Sequence, residues 1–312
     1  MRLSHVPRVL AIAATLAGLS TAGQATTSWS ALFAFGDSLS DNGNFFGLSG
    51  DKLPQPQNYA NGRFSNGIVA VEYLGNRLGL PLYDYAFGGS GTGVNKGPLD
   101  LPAQLGMLNQ KAGPAVDPNG LYFVWSGAND VRDLFKAGDF SSTSRDLVID
   151  ALGSFVSTLY QQGARSFLLP LLPDLGLTPE GQASGAASLL SGYSLGFNTA
   201  LKAEYQSLNL AGAQLTVFDT LVAQRNLVAD AAALGFTHGV NEPCFTGYVG
   251  EAGTQCSAAS ESSYIFWDKV HPTTATHAIL GAEMAALVPE PSSTLLLAVG
   301  SLALLGWARR RG

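Results

Sequence analysis

A serine hydroxyl becomes a useful nucleophile only when a base takes its proton, and that base must in turn be oriented by a carboxylate. Ser38 has a suitable position. It follows a short apolar run, residues 31–35, through Gly36-Asp37, where a chain leaving a buried strand can turn a side chain into a crevice. The chain has four histidines, so the base can be sought by elimination. His5 lies in the N-terminal leader, His238 in an irregular stretch, and His277 inside a helix expected over 273–287. His271 follows Trp267-Asp268-Lys269-Val270 and precedes Pro272, which rigidifies the entry to that helix. Asp268, three residues upstream, can reach one ring nitrogen and leave the other to face the serine. On spacing alone, an ordinary surface turn remains the alternative.

Acyl transfer also needs donors aimed at the oxygen that turns negative in a tetrahedral intermediate. Two segments suit. Tyr85-Ala86-Phe87-Gly88-Gly89-Ser90-Gly91 lets backbone approach a substrate closely, and Trp125-Ser126-Gly127-Ala128-Asn129-Asp130 ends a strand with a side-chain amide. Taken singly, either could be only a turn. No His-x-x-x-His or Cys/His cluster offers ligands at working spacing, so no metal and no cofactor are expected. The two cysteines, Cys244 and Cys256, lie close together in one loop, which in an exported chain suggests a local disulfide rather than reactive thiols.

These residues need a scaffold. Short apolar runs at 31–35, 121–125, 167–172 and 215–218 read as buried strands. Stretches with helical spacing lie at 67–78, 144–162, 186–208 and 220–234. The alternation implies βαβ units and a parallel sheet covered on both faces. Residues 39–65, rich in Gly, Asn and Pro and without periodicity, read as a long loop framing a crevice at the carboxyl ends of the strands. A second irregular stretch, 238–263, carries both cysteines and is expected to form another wall or a lid.

The ends of the 312-residue chain are of a different kind. Arg2 and Arg8, an apolar run at 9–19 and the small residues up to Ala25 have the order of a secretory signal peptide, with an apolar run too short to span a bilayer. At the other end, Val288-Pro289-Glu290-Pro291 precedes an uncharged stretch, 292–308, and Arg309, Arg310 and Arg311. At helical rise that stretch reaches about 25 Å, nearly a bilayer core. The arginines would stay cytoplasmic and leave the bulk of the chain outside. The expected division is therefore a signal peptide at 1–25, a catalytic domain at 26–287 and a sorting or anchor segment at 288–312. A net charge of -6, with no basic stripe, argues against nucleic acid as a partner.

Taken together, the stretches resemble the GDSL subgroup of the SGNH hydrolases. Phe35-Gly36-Asp37-Ser38-Leu39-Ser40-Asp41-Asn42-Gly43-Asn44 looks like its first block, Gly88-Gly89 its second, Gly127-Ala128-Asn129-Asp130 its third and Asp268-Lys269-Val270-His271-Pro272 its last. The resemblance implies a flavodoxin-like three-layer α/β/α sandwich with a mostly parallel central sheet. It implies Ser38 as nucleophile, Asp268 and His271 as its partners, and an oxyanion hole of the Ser38 N–H, Gly89 and Asn129. Asn61-Gly62-Arg63-Phe64-Ser65-Asn66-Gly67, Gly163-Ala164-Arg165 and Leu172-Pro173-Asp174-Leu175-Gly176 are similar to the long, plant-like and lysophospholipase-like branch. Many relatives carry Asn where this chain has Asp84, which leaves the hydrogen bonding beneath the glycine block open. No Gly-x-Ser-x-Gly elbow surrounds Ser38, which disfavours an α/β-hydrolase fold.

The C-terminal segment resembles the PEP-CTERM sorting signal of Gram-negative bacteria that make extracellular polysaccharide. In that family a membrane-embedded sorting protease removes the tail, so the implied location is the periplasm, the cell surface or the extracellular matrix, with transient anchoring; an ordinary single-pass anchor is the alternative. The implied activity is hydrolysis of carboxylic esters through an acyl-enzyme, on a lipid, a small ester or an acylated glycan. Two other readings stay open: an O-acetyl esterase acting on extracellular polysaccharide, and a non-catalytic surface or matrix protein on a hydrolase fold.

Overall fold

A computed structural model of the chain describes residues 29–112 and 116–288. The expected signal peptide and the segment beyond Val288 lie outside the described residues. Five strands form one sheet: β1 (Leu32–Gly36), β2 (Leu82–Asp84), β3 (Leu121–Trp125), β4 (Ser166–Pro170) and β5 (Gln214–Phe218). Their order is β2-β1-β3-β4-β5, and every pairing is parallel. The helices are α1 (Asn44–Leu48), α2 (Ala70–Leu78), α3 (Leu101–Ala112), α4 (Ala128–Ala137), α5 (Ser142–Gln161), α6 (Pro179–Ala183), α7 (Ala187–Ser207), α8 (Thr220–Ala229) and α9 (Thr274–Leu287).

Strand β3 shows why the sheet must be covered on both sides. All five of its residues are buried. Side chains alternate across a strand, so Tyr122 and Val124 enter one core while Leu121, Phe123 and Trp125 enter the other. The first core joins Phe35, Phe167 and Leu169 to α3, α5 and α7; the second joins Leu32, Ala34 and Leu168 to α2, α8 and α9. The result is a three-layer α/β/α sandwich.

The structure departs from the sequence reading at several places. The stretch 39–65 is not wholly loop, since it contains the short helix α1. Helices α3 and α4 and strand β2 were not expected. The strand expected at 167–172 lies slightly earlier: β4 begins at Ser166 and ends at Pro170, after which the chain leaves the sheet. Helix α8 stops at Ala229 rather than 234. Among the described residues no helix is long and apolar enough to cross a membrane.

Two local features place the end of β1. Gly36 pairs with Trp125, and a Cβ on Gly36 would sit 2.1 Å from the Trp125 carbonyl oxygen, so only glycine lets the strands close up here. The buried Gln104 of α3 then clamps the same residue. Its Oε1 accepts the Gly36 N–H at 2.9 Å, and its Nε2 donates to the Gly36 carbonyl at 2.8 Å.

Candidate active site

Ser38 stands two residues beyond the clamped end of β1. The turn around it is held by Asp37, whose carbonyl accepts the N–H groups of Ser40 and Asp41 at 3.0 Å each and whose Oδ1 accepts the Leu39 N–H at 3.0 Å. The Ser38 N–H itself has no acceptor among the described residues. Asp37 is buried, and that burial pushes its carboxyl up to about 6 despite the Leu39 hydrogen bond. Its Oδ2 has no hydrogen-bond partner among the described residues.

His271 reaches this turn from the far end of the chain. The segment before it is folded back so that the Trp267 N–H donates to the His271 carbonyl at 2.7 Å, and Thr273 caps α9 immediately after. Asp268 Oδ1 accepts the backbone N–H groups of Val270 at 2.9 Å and His271 at 2.8 Å. Asp268 Oδ2 lies 2.8 Å from His271 Nδ1, and His271 Nε2 lies 2.8 Å from Ser38 Oγ. A carboxylate only accepts, so Nδ1 carries the proton and Nε2 is left as the acceptor for the seryl O–H. Asp268 is 0% exposed and His271 3%, which keeps water from competing for these bonds. Burial works against the Asp268 carboxylate, but the His271 charge and the hydrogen bonds from His271, Tyr59 and Val270 outweigh it and hold its pKa below the usual carboxylate range.

The aromatic surroundings fix the ring. Phe64 lies 5.3 Å from the imidazole, and Tyr248 is parallel to it at 5.8 Å. Tyr248 comes from the irregular cysteine-bearing stretch, which the Cys244–Cys256 disulfide closes. Gln55 ties that stretch to the long loop, donating to the carbonyls of Tyr248 and Glu251 and accepting the Gly250 N–H. The remaining histidines are elsewhere: His238 stacks on Tyr264, and His277 accepts the Ala70 N–H in the packing of α9 on α2.

The two glycines differ. Asp41 Oδ2 accepts the Gly88 N–H at 2.7 Å, and the same carboxylate accepts the N–H groups of Gly43, Asn44 and Phe45. Gly88 is therefore committed. Gly89, at φ +80°, borders open space and its N–H has no acceptor among the described residues. Asp84 accepts the Ala86 and Asn42 N–H groups, so it does serve as an anchor beneath this block. Burial keeps its pKa well above the ordinary value.

Asn129 sits in the first turn of α4. Its Nδ2 donates to the Ser90 carbonyl at 2.9 Å, and its Oδ1 accepts from Arg132 Nη1 at 3.4 Å. Glu180 holds Arg132 from the other side through two bonds of 2.7 and 2.8 Å. Ser38, Asn129, Arg132 and His271 line one cavity; Gly89 is not among its lining residues, but the carbonyl of its neighbour Ser90 accepts a hydrogen bond from the Asn129 amide. Sequence reasoning missed Tyr59, Gln104, Arg132 and Tyr248. Only Arg132, three residues after Asn129 and so one helical turn away, left any signal in the sequence. Among the described residues, no three His, Cys, Asp or Glu side chains converge as metal ligands would.

A parallel α/β/α sandwich with a hydroxyl, an imidazole and a carboxylate in series beyond its first strand has the layout of a hydrolase. The family model of GDSL-like lipases and acylhydrolases matches residues 32–284, and the chain belongs to that family, which makes it a carboxylic ester hydrolase by class. The PEP-CTERM protein-sorting motif matches residues 287–311 and marks the chain for export and membrane-associated sorting.

Among curated relatives, the thermolabile hemolysin of Vibrio parahaemolyticus is 29% identical over 80% of this chain, which spans 62% of that longer protein. The phosphatidylcholine-sterol acyltransferase of Aeromonas hydrophila is 26% identical, covering 88% of this chain and 92% of its own. A solved acetylxylan esterase of Geobacillus stearothermophilus aligns at 16% identity with a TM-score of 0.48, over 83% of this chain and 95% of that one.

Proposed function

We propose that this chain is an exported serine esterase that hydrolyses carboxylic esters through an acyl-enzyme on Ser38. The observation that carries the reading is the unbroken series Ser38 Oγ, His271 and Asp268, with both links at 2.8 Å and all three side chains buried. His271 takes the seryl proton as Ser38 attacks the ester carbon, and gives it to the departing alcohol. Asp268 keeps the imidazole in the tautomer this requires and stabilises it once charged. Water then attacks the acyl carbon as His271 takes its proton, and His271 returns that proton to Ser38 Oγ as the acyl–oxygen bond breaks and the acid leaves. The N–H groups of Ser38 and Gly89 and the Asn129 amide stabilise the tetrahedral oxyanion; the two backbone donors have no competing acceptor among the described residues, which supports that assignment.

The C-terminal motif supports a life cycle in which a membrane sorting protease cuts near Pro289-Glu290-Pro291 and delivers the domain to the envelope, surface or matrix of a Gram-negative cell. The chemical test is acid quenching during turnover of a p-nitrophenyl ester, followed by mass spectrometry of the peptide containing Ser38. The expected result is a mass gain equal to the acyl group. Full turnover by a Ser38→Ala variant would overturn the reading.

A further inference from the structure

We propose that Arg132 and Glu180 are positioning residues: Arg132 fixes the direction of the Asn129 amide, and Glu180 braces Arg132 against the turn that carries Asp268 and His271. This rests on Asn129 being an oxyanion donor and names what aims it.

A side-chain amide can turn end for end about its last bond, and only one of the two directions offers its N–H groups to a developing oxyanion. In α4, Asn129 and Arg132 are three residues apart and so share one helix face. The Ser90 carbonyl only accepts, so it takes Nδ2 at 2.9 Å; the guanidinium only donates, so it faces Oδ1, with Nη1 at 3.4 Å. The reversed amide would set oxygen against the Ser90 carbonyl and N–H against the guanidinium, and would turn an acceptor toward the oxyanion.

Glu180 belongs to the short helix α6 and bonds in two directions. In the first turn of α6, Pro179 has no N–H, Gly181 gives its N–H to the Thr178 hydroxyl at 3.0 Å, and Glu180 gives its N–H to the Lys269 carbonyl at 2.8 Å. Lys269 lies between Asp268 and His271 in the chain. The Glu180 carboxylate reaches the other way and takes Nε and Nη2 of Arg132 in a two-pronged pair. One residue therefore ties the helix that bears Asn129 to the turn that bears His271.

Arg132 has little left for a substrate. Its Nη1 also faces the Tyr248 hydroxyl at 3.4 Å, and the side chain is only 15% exposed. Burial works against its charge, but Glu180 and Tyr248 outweigh that and raise its pKa above the ordinary value. Burial opposes the Glu180 charge too, yet Arg132 holds that carboxyl below its own ordinary value. A negatively charged ester would have to compete with Glu180 to reach the guanidinium.

The test measures kcat and KM for p-nitrophenyl butyrate and for the anionic p-nitrophenyl hemisuccinate. The variants are Arg132→Met and Asn129→Ala, singly and together, with Arg132→Lys and with Glu180→Gln in both Asn129 backgrounds, and thermal midpoints show that each is folded. Glu180 is 39% exposed, so it can take up water when Arg132 is lost. Arg132→Met should lower kcat about 10- to 30-fold on both esters with KM within about twofold, less than loss of the donor itself because the Ser90 contact remains. In the Asn129→Ala background the same change should cost less than about twofold, since the amide it aims is gone. Arg132→Lys keeps the charge but cannot grip Glu180 with a fork and reach Asn129 as well, so it should regain no more than about threefold. Glu180→Gln should lower kcat about fivefold, again only while Asn129 is present.

Wild-type kcat in Arg132→Met or Glu180→Gln, equal losses with and without Asn129, or full activity in Arg132→Lys would each overturn the proposal. A KM rise confined to the anionic ester would overturn it as well, by making Arg132 a substrate contact. Full turnover in Asn129→Ala would instead overturn the oxyanion assignment on which the proposal rests.

Discussion

Tyr59 and Asp268, 209 residues apart in sequence, are joined by a hydrogen bond of 2.5 Å from the phenol to Oδ2, the oxygen that also faces His271 Nδ1. The long loop after Ser38 thus reaches round to steady the carboxylate that steadies the histidine. Phe64, Phe245 and Trp267 pack around the Tyr59 ring, so Tyr59→Phe would remove the hydroxyl while keeping the packing. A hydrogen bond to a charged group is worth about 1.5–3 kcal/mol, so kcat should fall about tenfold with KM little changed. Steady-state kinetics check this. A kcat within twofold of wild type would show that Asp268 does not depend on Tyr59.

Asn129 tests the oxyanion assignment in a different way. Losing one such donor costs about 10²- to 10³-fold in turnover. The side chain also holds the Ser90 carbonyl, so the informative comparison is Asn129→Ala against Asn129→Asp, which keeps the size but replaces the donor with an acceptor. Both should lose kcat by at least about 10²-fold while Ser38 still reacts with a small phosphonylating reagent. Unchanged turnover in either would remove Asn129 from the mechanism.

The parts legible in sequence were those with strong local signatures. Leu121–Trp125 is an unbroken apolar run because both faces of β3 are buried, and the Asp268-Lys269-Val270-His271-Pro272 turn is compact enough for its partners to sit side by side. Strand β2 escaped notice because it is a three-residue edge strand, with Tyr83 half exposed and a single neighbouring strand, so neither alternation nor a continuous apolar run marks it. Helix α4 was hidden by the site itself: Gly127, Asn129 and Asp130 look like turn residues, but the glycine at φ +106° lets the chain pass from β3 into the helix while the two polar residues bond to Ser90 and Thr92. The Tyr59 contact had no signal at all, since nothing in a loop tyrosine says which carboxylate the fold will bring to it.

Asp37 and His277 give the pH dependence of stability opposite signs. Folded Asp37 keeps its proton to about pH 6 because burial disfavours the charge, whereas the unfolded chain releases it near the ordinary carboxyl value of 3.8. Between those values the folded state binds more protons, so this contribution to stability is lost as pH rises. Burial lowers His277 to about 3 from 6.5, so there the unfolded state binds more protons and stability is lost as pH falls below 6.5. Denaturant unfolding of wild type and Asp37→Asn at several pH values separates them. The variant should gain on wild type by about 3 kcal/mol between pH 3.5 and 6.5, and should itself lose stability more steeply toward acid. A difference that does not vary with pH would mean that Asp37 titrates normally in the fold.

The central claim is that Ser38 is the activated nucleophile, and its reaction with a fluorophosphonate tests it most directly. Mass spectrometry of the treated wild-type protein should find one adduct, on the peptide containing Ser38, with none in Ser38→Ala and much slower labelling in His271→Ala. A folded wild-type protein that stays unlabelled, or one labelled equally well after Ser38→Ala, would contradict it.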